Sequence, residues 1–172
     1  LTVKSSALTV VKNSSFANIS YAPGSSGVKL AEFVLQASNA DDINVNTITL
    51  NLAGTTTDVQ NLRIQKSDGT QLGNSVGSPS ATGNTYTISG FTINKAQSVA
   101  LGIYGDIASG AVAAGTTTVS IASSGISATG VSSSVAVTGA ADGAVAGQIV
   151  TIASPTLIIT KDSNSPASKI II

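Results

Sequence analysis

The chain has 172 residues, eight Lys+Arg against eight Asp+Glu, and no His, Cys, Met or Trp. Charged residues make up 9%, against ~25% in ordinary soluble domains. These absences exclude disulfides, thiol nucleophiles, the usual structural zinc sites, and haem or iron–sulfur ligation through Cys or His. A balanced charge and a lone arginine, Arg63, also argue against nucleic acid, whose phosphates demand clustered Lys and Arg.

A 42% apolar fraction and a mean hydropathy of +0.35 point to a folded chain. The length suits one domain. No apolar run approaches the ~18 residues of a membrane-spanning helix. A chain that opens at Leu1 and lacks Met is expected to be a processed form or part of a longer polypeptide.

Taken in chain order, the hydrophobic period is two. An opening strand is expected at 7–12, followed by a turn at Pro23-Gly24. In 28–37, Ala31, Phe33, Leu35 and Ala37 share one face. Ile43 and Val45 alternate, as do Ile48, Leu50 and Leu52, up to a turn at Gly54. Segments 62–66 and 70–72 flank Ser67-Asp68-Gly69, the signature of a tight hairpin. Further turn signals fall at Gly73-Asn74, Gly83-Asn84, Gly115, Gly125 and Asp142-Gly143. Strands are expected at 85–88, 98–103 and 116–121, and a loop at 108–115. The β-branched residues suit half-buried strands. The fold expected is all-β: an antiparallel immunoglobulin-like sandwich of about ten to twelve strands.

The two ends of the sequence resemble each other. Residues 150–164 align with 1–15 without a gap, 149 positions apart. Thr2/Thr151, Ser5/Ser154, Leu8/Leu157, Lys12/Lys161 and Ser14/Ser163 are identical. Chance likeness in a chain in which Ser and Thr exceed a quarter of all residues is one reading. The other is a repeating unit followed by the opening strand of the next. It divides the chain into a sandwich at 1–154 and a junction strand at 155–172. Thr156, Leu157, Ile158 and Ile159 would form the assembly strand, with Ile170, Ile171 and Ile172 continuing into more chain or covered by a partner. Three unpaired β-branched residues are otherwise an aggregation hazard. Leu8 and Val10 mark the corresponding position on the acceptor side. A final strand tucked into its own sheet is the plainer alternative.

Two stretches, 8–50 with its Ala37-Ser38-Asn39 and Thr49-Leu50, and 91–107 with its Asp106-Ile107, carry a family resemblance. They resemble the tandem immunoglobulin-like repeats of prokaryotic surface-layer and extracellular filament proteins. That resemblance implies a secreted structural protein assembled head to tail with copies of itself, in contact with cell wall or glycan. It transfers no catalytic residue.

Chemistry is sparse. A Ser nucleophile would need Lys as its base, and Lys4 beside Ser5 and Lys66 beside Ser67 are mere adjacencies. Most Asp residues sit in expected turns, where they bond their own backbone. The chain is therefore expected not to be an enzyme, and no cofactor is expected. Asp41 and Asp42, with Asn39 and Asn44 nearby, form either a Ca²⁺-binding oxygen cluster or a solvated turn. Asp106 or Asp142 is a conceivable further ligand. Asn13 and Asn18 head glycosylation sequons. Glu32 either faces solvent or, if turned inward, assists a Lys–Asn isopeptide bond of the kind found in some pilins, with Lys12 as the amine. The leading function is a subunit or repeat of an extracellular filament or surface layer joined by strand complementation. The alternative is a cell-surface adhesin or ligand-binding module.

Overall fold

The structure, a computed structural model, describes residues 5–154. The strands are β1 (Leu8–Lys12), β2 (Ile19–Tyr21), β3 (Val28–Ala37), β4 (Ile43–Gly54), β5 (Val59–Lys66), β6 (Gln71–Val76), β7 (Asn84–Ile93), β8 (Ser98–Ile107), β9 (Thr116–Gly130), β10 (Ala136–Gly139) and β11 (Val145–Ile152). A 3₁₀ turn at Thr56–Asp58 is the one helical element among the described residues. No helix there is long and apolar enough to cross a membrane.

The strands form two sheets. One has five, in the order β1-β3-β8-β5-β6. The other has six, ordered β2-β11-β9-β4-β7, with β10 also paired to β9. This is the expected sandwich, with eleven strands. One pairing departs from the antiparallel rule: β2 lies parallel to β11, with Val150, Thr151 and Ile152 opposite Ile19, Ser20 and Tyr21. The junction segment 155–172 lies outside the described residues.

The inner faces interleave aliphatic side chains. Leu35, Leu62, Ile64, Leu101 and Ile103 from one sheet meet Ile43, Ile48, Leu50, Ile93 and Val119 from the other. Phe33 and Tyr86 are the largest of the fully buried side chains, and Phe91 is also buried. The buried Tyr86 hydroxyl donates to the carbonyl of Leu62 at 2.9 Å. Burial pushes its ionisation well above the ordinary value.

Bulges break the simple alternation. The β3–β8 register shifts between Lys29 and Ala31. Leu30 and Ala31 are consequently both buried, though adjacent, and the strand's outward set is displaced by one. In β9 the turn expected at Gly125 is instead a break within one long strand. Ser124 adopts φ 52° and donates its N–H to Ala140 O at 2.8 Å, where the neighbour of β9 changes from β11 to β10. Gly73 likewise sits inside β6, at φ 69° and not in a turn between strands. The 62–72 hairpin and the 108–115 loop form as expected.

The chain enters and leaves this sandwich at opposite ends. At the entry, Ser38 N–H bonds Ala7 O at 2.9 Å, and Ser6 meets Ser133 at 3.4 Å between hydroxyls. At the exit, Ala114 N–H bonds Ile152 O at 2.9 Å, and Ala153 N–H bonds Tyr21 O at 2.8 Å. β3, β4 and β9 run the length between these ends.

Truncating Phe33 tests the core. Phe33→Ala is expected to cost roughly 3–5 kcal/mol, read as a lower urea midpoint at unchanged slope. A loss below ~1 kcal/mol would mean that Phe33 is not packed between the sheets.

Candidate functional site

Three places concentrate the polar and edge features singled out in the sequence: the β1 edge, the outer face of the five-stranded sheet, and the loops at the entry end.

β1 is an edge strand, paired antiparallel with β3 from Leu8 opposite Ala37 to Lys12 opposite Phe33. Leu8 and Val10 turn inward and are buried, while Val11 is 49% exposed. An open cleft of about 300 Å³ runs beside it, between Leu8, Val10 and the 140–145 segment. The matching residues Thr156, Leu157, Ile158, Ile159, Ile170, Ile171 and Ile172 lie outside the described residues.

On the outer face, Glu32 is the centre of a cluster. The β3 bulge places Lys29 and Glu32, three positions apart, on the same side of the sheet. The Lys29 ammonium bonds and ion-pairs with Glu32 Oε2. Asn13 Nδ2 donates to Glu32 Oε1 at 2.5 Å. The lysine head lies 5.1 Å from the Phe16 ring centre and 5.8 Å from that of Tyr104. Its stem crosses Gly102, where a Cβ would come within 2.6 Å of the Tyr104 ring and 3.3 Å of Lys29 Cε. Burial alone would lower the Lys29 pKa and raise that of Glu32. Their mutual hydrogen bond and opposite charges, with the Asn13 amide bonded to Glu32, outweigh it, so Lys29 is raised and Glu32 lowered. The resting cluster is therefore an ion pair.

Gln148, buried in β11, ties this cluster to the second sheet. Its Oε1 accepts Glu32 N–H at 3.0 Å. Its Nε2 donates to Asn13 O and Phe16 O, both at 2.8 Å. Glu32 thus faces outward, and the lysine beside it is Lys29 and not Lys12, because alternation read without the bulge puts Lys29 and Glu32 on opposite faces. Nothing in the spacing marked Gln148.

The sequon residues are both engaged. Asn13 is held as above, and Asn18 Oδ1 accepts Ile149 N–H at 2.9 Å, beside the β11 irregularity. At the entry end, Asp41 is buried, and its carboxylate accepts the N–H groups of Ser132 and Ser133 and the Ser133 hydroxyl, at 2.7–3.2 Å. Asp42 Oδ1 accepts Lys95 N–H at 2.7 Å. Asp106 is committed elsewhere, to Gly27 N–H and the Asn61 amide, each at 2.7 Å, beside Arg63. Among the described residues no three of His, Cys, Asp or Glu gather where a metal ion would be held. All six aromatic residues are buried or half-buried, leaving no exposed ring platform.

No protein-family model matches the chain, and no curated protein does. Among solved structures, a chain from a crystal structure of a dockerin–cohesin complex at pH 5.5 is 13% identical. It covers 86% of this chain and 99% of its own, with a TM-score of 0.41. A family 123 glycoside hydrolase from Clostridium perfringens is 11% identical. The match covers 84% of this chain but 27% of the hydrolase, at a TM-score of 0.36.

Asp41 offers a test by pH. Hydrogen bonds from Ser133 and Ser132 lower its pKa from the ordinary 3.8 to about 2. A carboxylate depressed in the folded state stabilises the fold above its unfolded pKa, and the effect fades as pH falls toward the folded value. Asp41→Asn is thus expected to melt lower than the parent at pH 7, with the gap closing between pH ~4 and ~2. A gap that does not change over that window would contradict the assignment.

Proposed function

We propose that this chain is a structural unit of an extracellular assembly, joined head to tail as one of a covalent series. The observation that carries this reading is the opposite placement of entry and exit, because units linked through such ends stack along one line. The second support is the likeness between 1–15 and 150–164. In the described unit the place of the first strand is already taken by its own β1. A segment of the same character at 156–161, a few residues beyond the end of β11, suits the first strand of a following unit. Leu157, Ile158 and Ile159, with one of the terminal isoleucines, at ~1.5–3 kcal/mol each when buried, would hold such a strand. Strand addition also supplies ladder hydrogen bonds.

The composition agrees with this role. Zero net charge leaves little repulsion between copies. Ser and Thr on the outward faces keep the sheets wetted. The reading is non-enzymatic, with further copies of the unit as the partner.

Two measurements check it. Removing 155–172 is expected to leave the melting temperature of the remaining unit within ~2 °C. If the segment completes its own unit's sheet, the loss of its buried aliphatics lowers melting by well over ~5 °C, and the division of the chain is wrong. On a denaturing gel, native material is expected to run far above 16.9 kDa. A band at that mass would replace the covalent series with separate subunits.

A further inference from the structure

The outer-face cluster is more than an ion pair, because it holds an amine, an amide and a carboxylate in one arrangement. We propose that Lys29 and Asn13 are the partners of an intramolecular isopeptide bond, formed with Glu32 as the proton carrier and the Ser15 N–H as the oxyanion donor.

Four observations carry the proposal. The two oxygens of the Glu32 carboxylate bind the two reactants, Lys29 Nζ on Oε2 and Asn13 Nδ2 on Oε1. Amine and amide are thereby gathered on one carboxylate, the first requirement for a reaction between them. Asn13 Oδ1 already accepts the N–H of Ser15 at 3.0 Å. It is the oxygen on which negative charge develops during acyl transfer. The backbone of Asn13 is fixed on both sides, by its N–H on Glu32 O at 2.8 Å and by Gln148 Nε2 on its carbonyl at 2.8 Å. Finally, the Phe16 and Tyr104 rings flank the amine, and the pair is only 28% and 15% exposed. This shielding lowers the cost of converting a charged pair into a neutral one.

The step balances without any external reagent. Lys29 gives one proton to Glu32, and the neutral amine adds to Asn13 Cγ. The Cγ–Nδ2 bond then breaks as Glu32 returns its proton to the departing nitrogen. A new Nζ–Cγ amide remains, and ammonia leaves, taking the second proton released by the lysine as ammonium. Glu32 ends as it began, a carboxylate. The same amide nitrogen heads the Asn13 sequon, so crosslinking and glycosylation at this residue exclude each other.

Mass spectrometry of the full chain under denaturing conditions decides the matter. The expected mass is one ammonia below that of the sequence, and a digest should yield one branched peptide joining Asn13 to Lys29. Lys29→Arg keeps a cation against Glu32 but cannot form the bond, and should run at full sequence mass, as should Glu32→Gln. A wild-type chain at full mass, with residues 13 and 29 in separate peptides, overturns the proposal. So does a sugar or an aspartate at position 13, or an ammonia loss that persists in Lys29→Arg. The wild-type measurement stands even if a variant fails to fold.

Discussion

Between the two sheets lies one layer of Leu, Ile and Val side chains, and each long strand is positioned by what it adds to that layer. No disulfide shares the task, and the three ion pairs among the described residues all lie outside the core. Such surface pairs contribute little. The fold therefore depends on burial, with aliphatic groups at about 25 cal/mol per Å² offsetting the ordering of the chain. Polar side chains that do enter, such as Gln148 and Asn84, are buried only because they satisfy backbone groups that the ladders leave open. Gln148 stands where β1 has ended but Glu32 still needs an acceptor for its N–H.

The fold class was readable because alternation is a direct image of this constraint. In β3 the set Ala31, Phe33, Leu35 and Ala37 is buried as its spacing predicts, and β4, β7 and β8 behave alike. What escaped reading is what alternation does not encode. β2 has three residues, too few to show a period, and β10 has four among Ser-rich neighbours. Gly73 and Gly125 look like turns in sequence, yet both lie within strands, where glycine marks a bulge or a local twist as readily as a corner. The parallel pairing of β2 with β11 joins residues about 130 positions apart in the chain, a distance at which local pattern carries no information.

The same limit governs the candidate sites. Asp41 was expected in a metal cluster or a solvated turn, whereas the structure buries it and engages its carboxylate with the Ser132–Ser133 donors about 90 residues away, a distance that spacing does not encode. Lys29 and Glu32 were not legible as neighbours, since one inserted residue inverts the facing of everything on one side of it. A bulge thus creates on the outer face a pairing that a regular strand would forbid. Gly102 completes it by having no side chain to displace the Lys29 stem and the Tyr104 ring. On this face the cluster combines an ion pair with aromatic rings, while Arg63 and Asp106 form a second charged pair on the same sheet.

The parallel contact between β2 and β11 has a mechanical meaning. β2 lies near the start of the chain and β11 near its end, with their directions aligned. Tension applied across the two termini, once it has stripped β1 from β3, draws β2 toward its own beginning and β11 toward its own finish. The two strands are then pulled past each other along their length, while their hydrogen bonds lie across the line of pull. Bonds loaded in this way share the stress and must fail together, unlike those of a hairpin opened from its tip, which break one at a time. Three residue pairs at the exit end of the sandwich thereby act as a brake on extension of the chain.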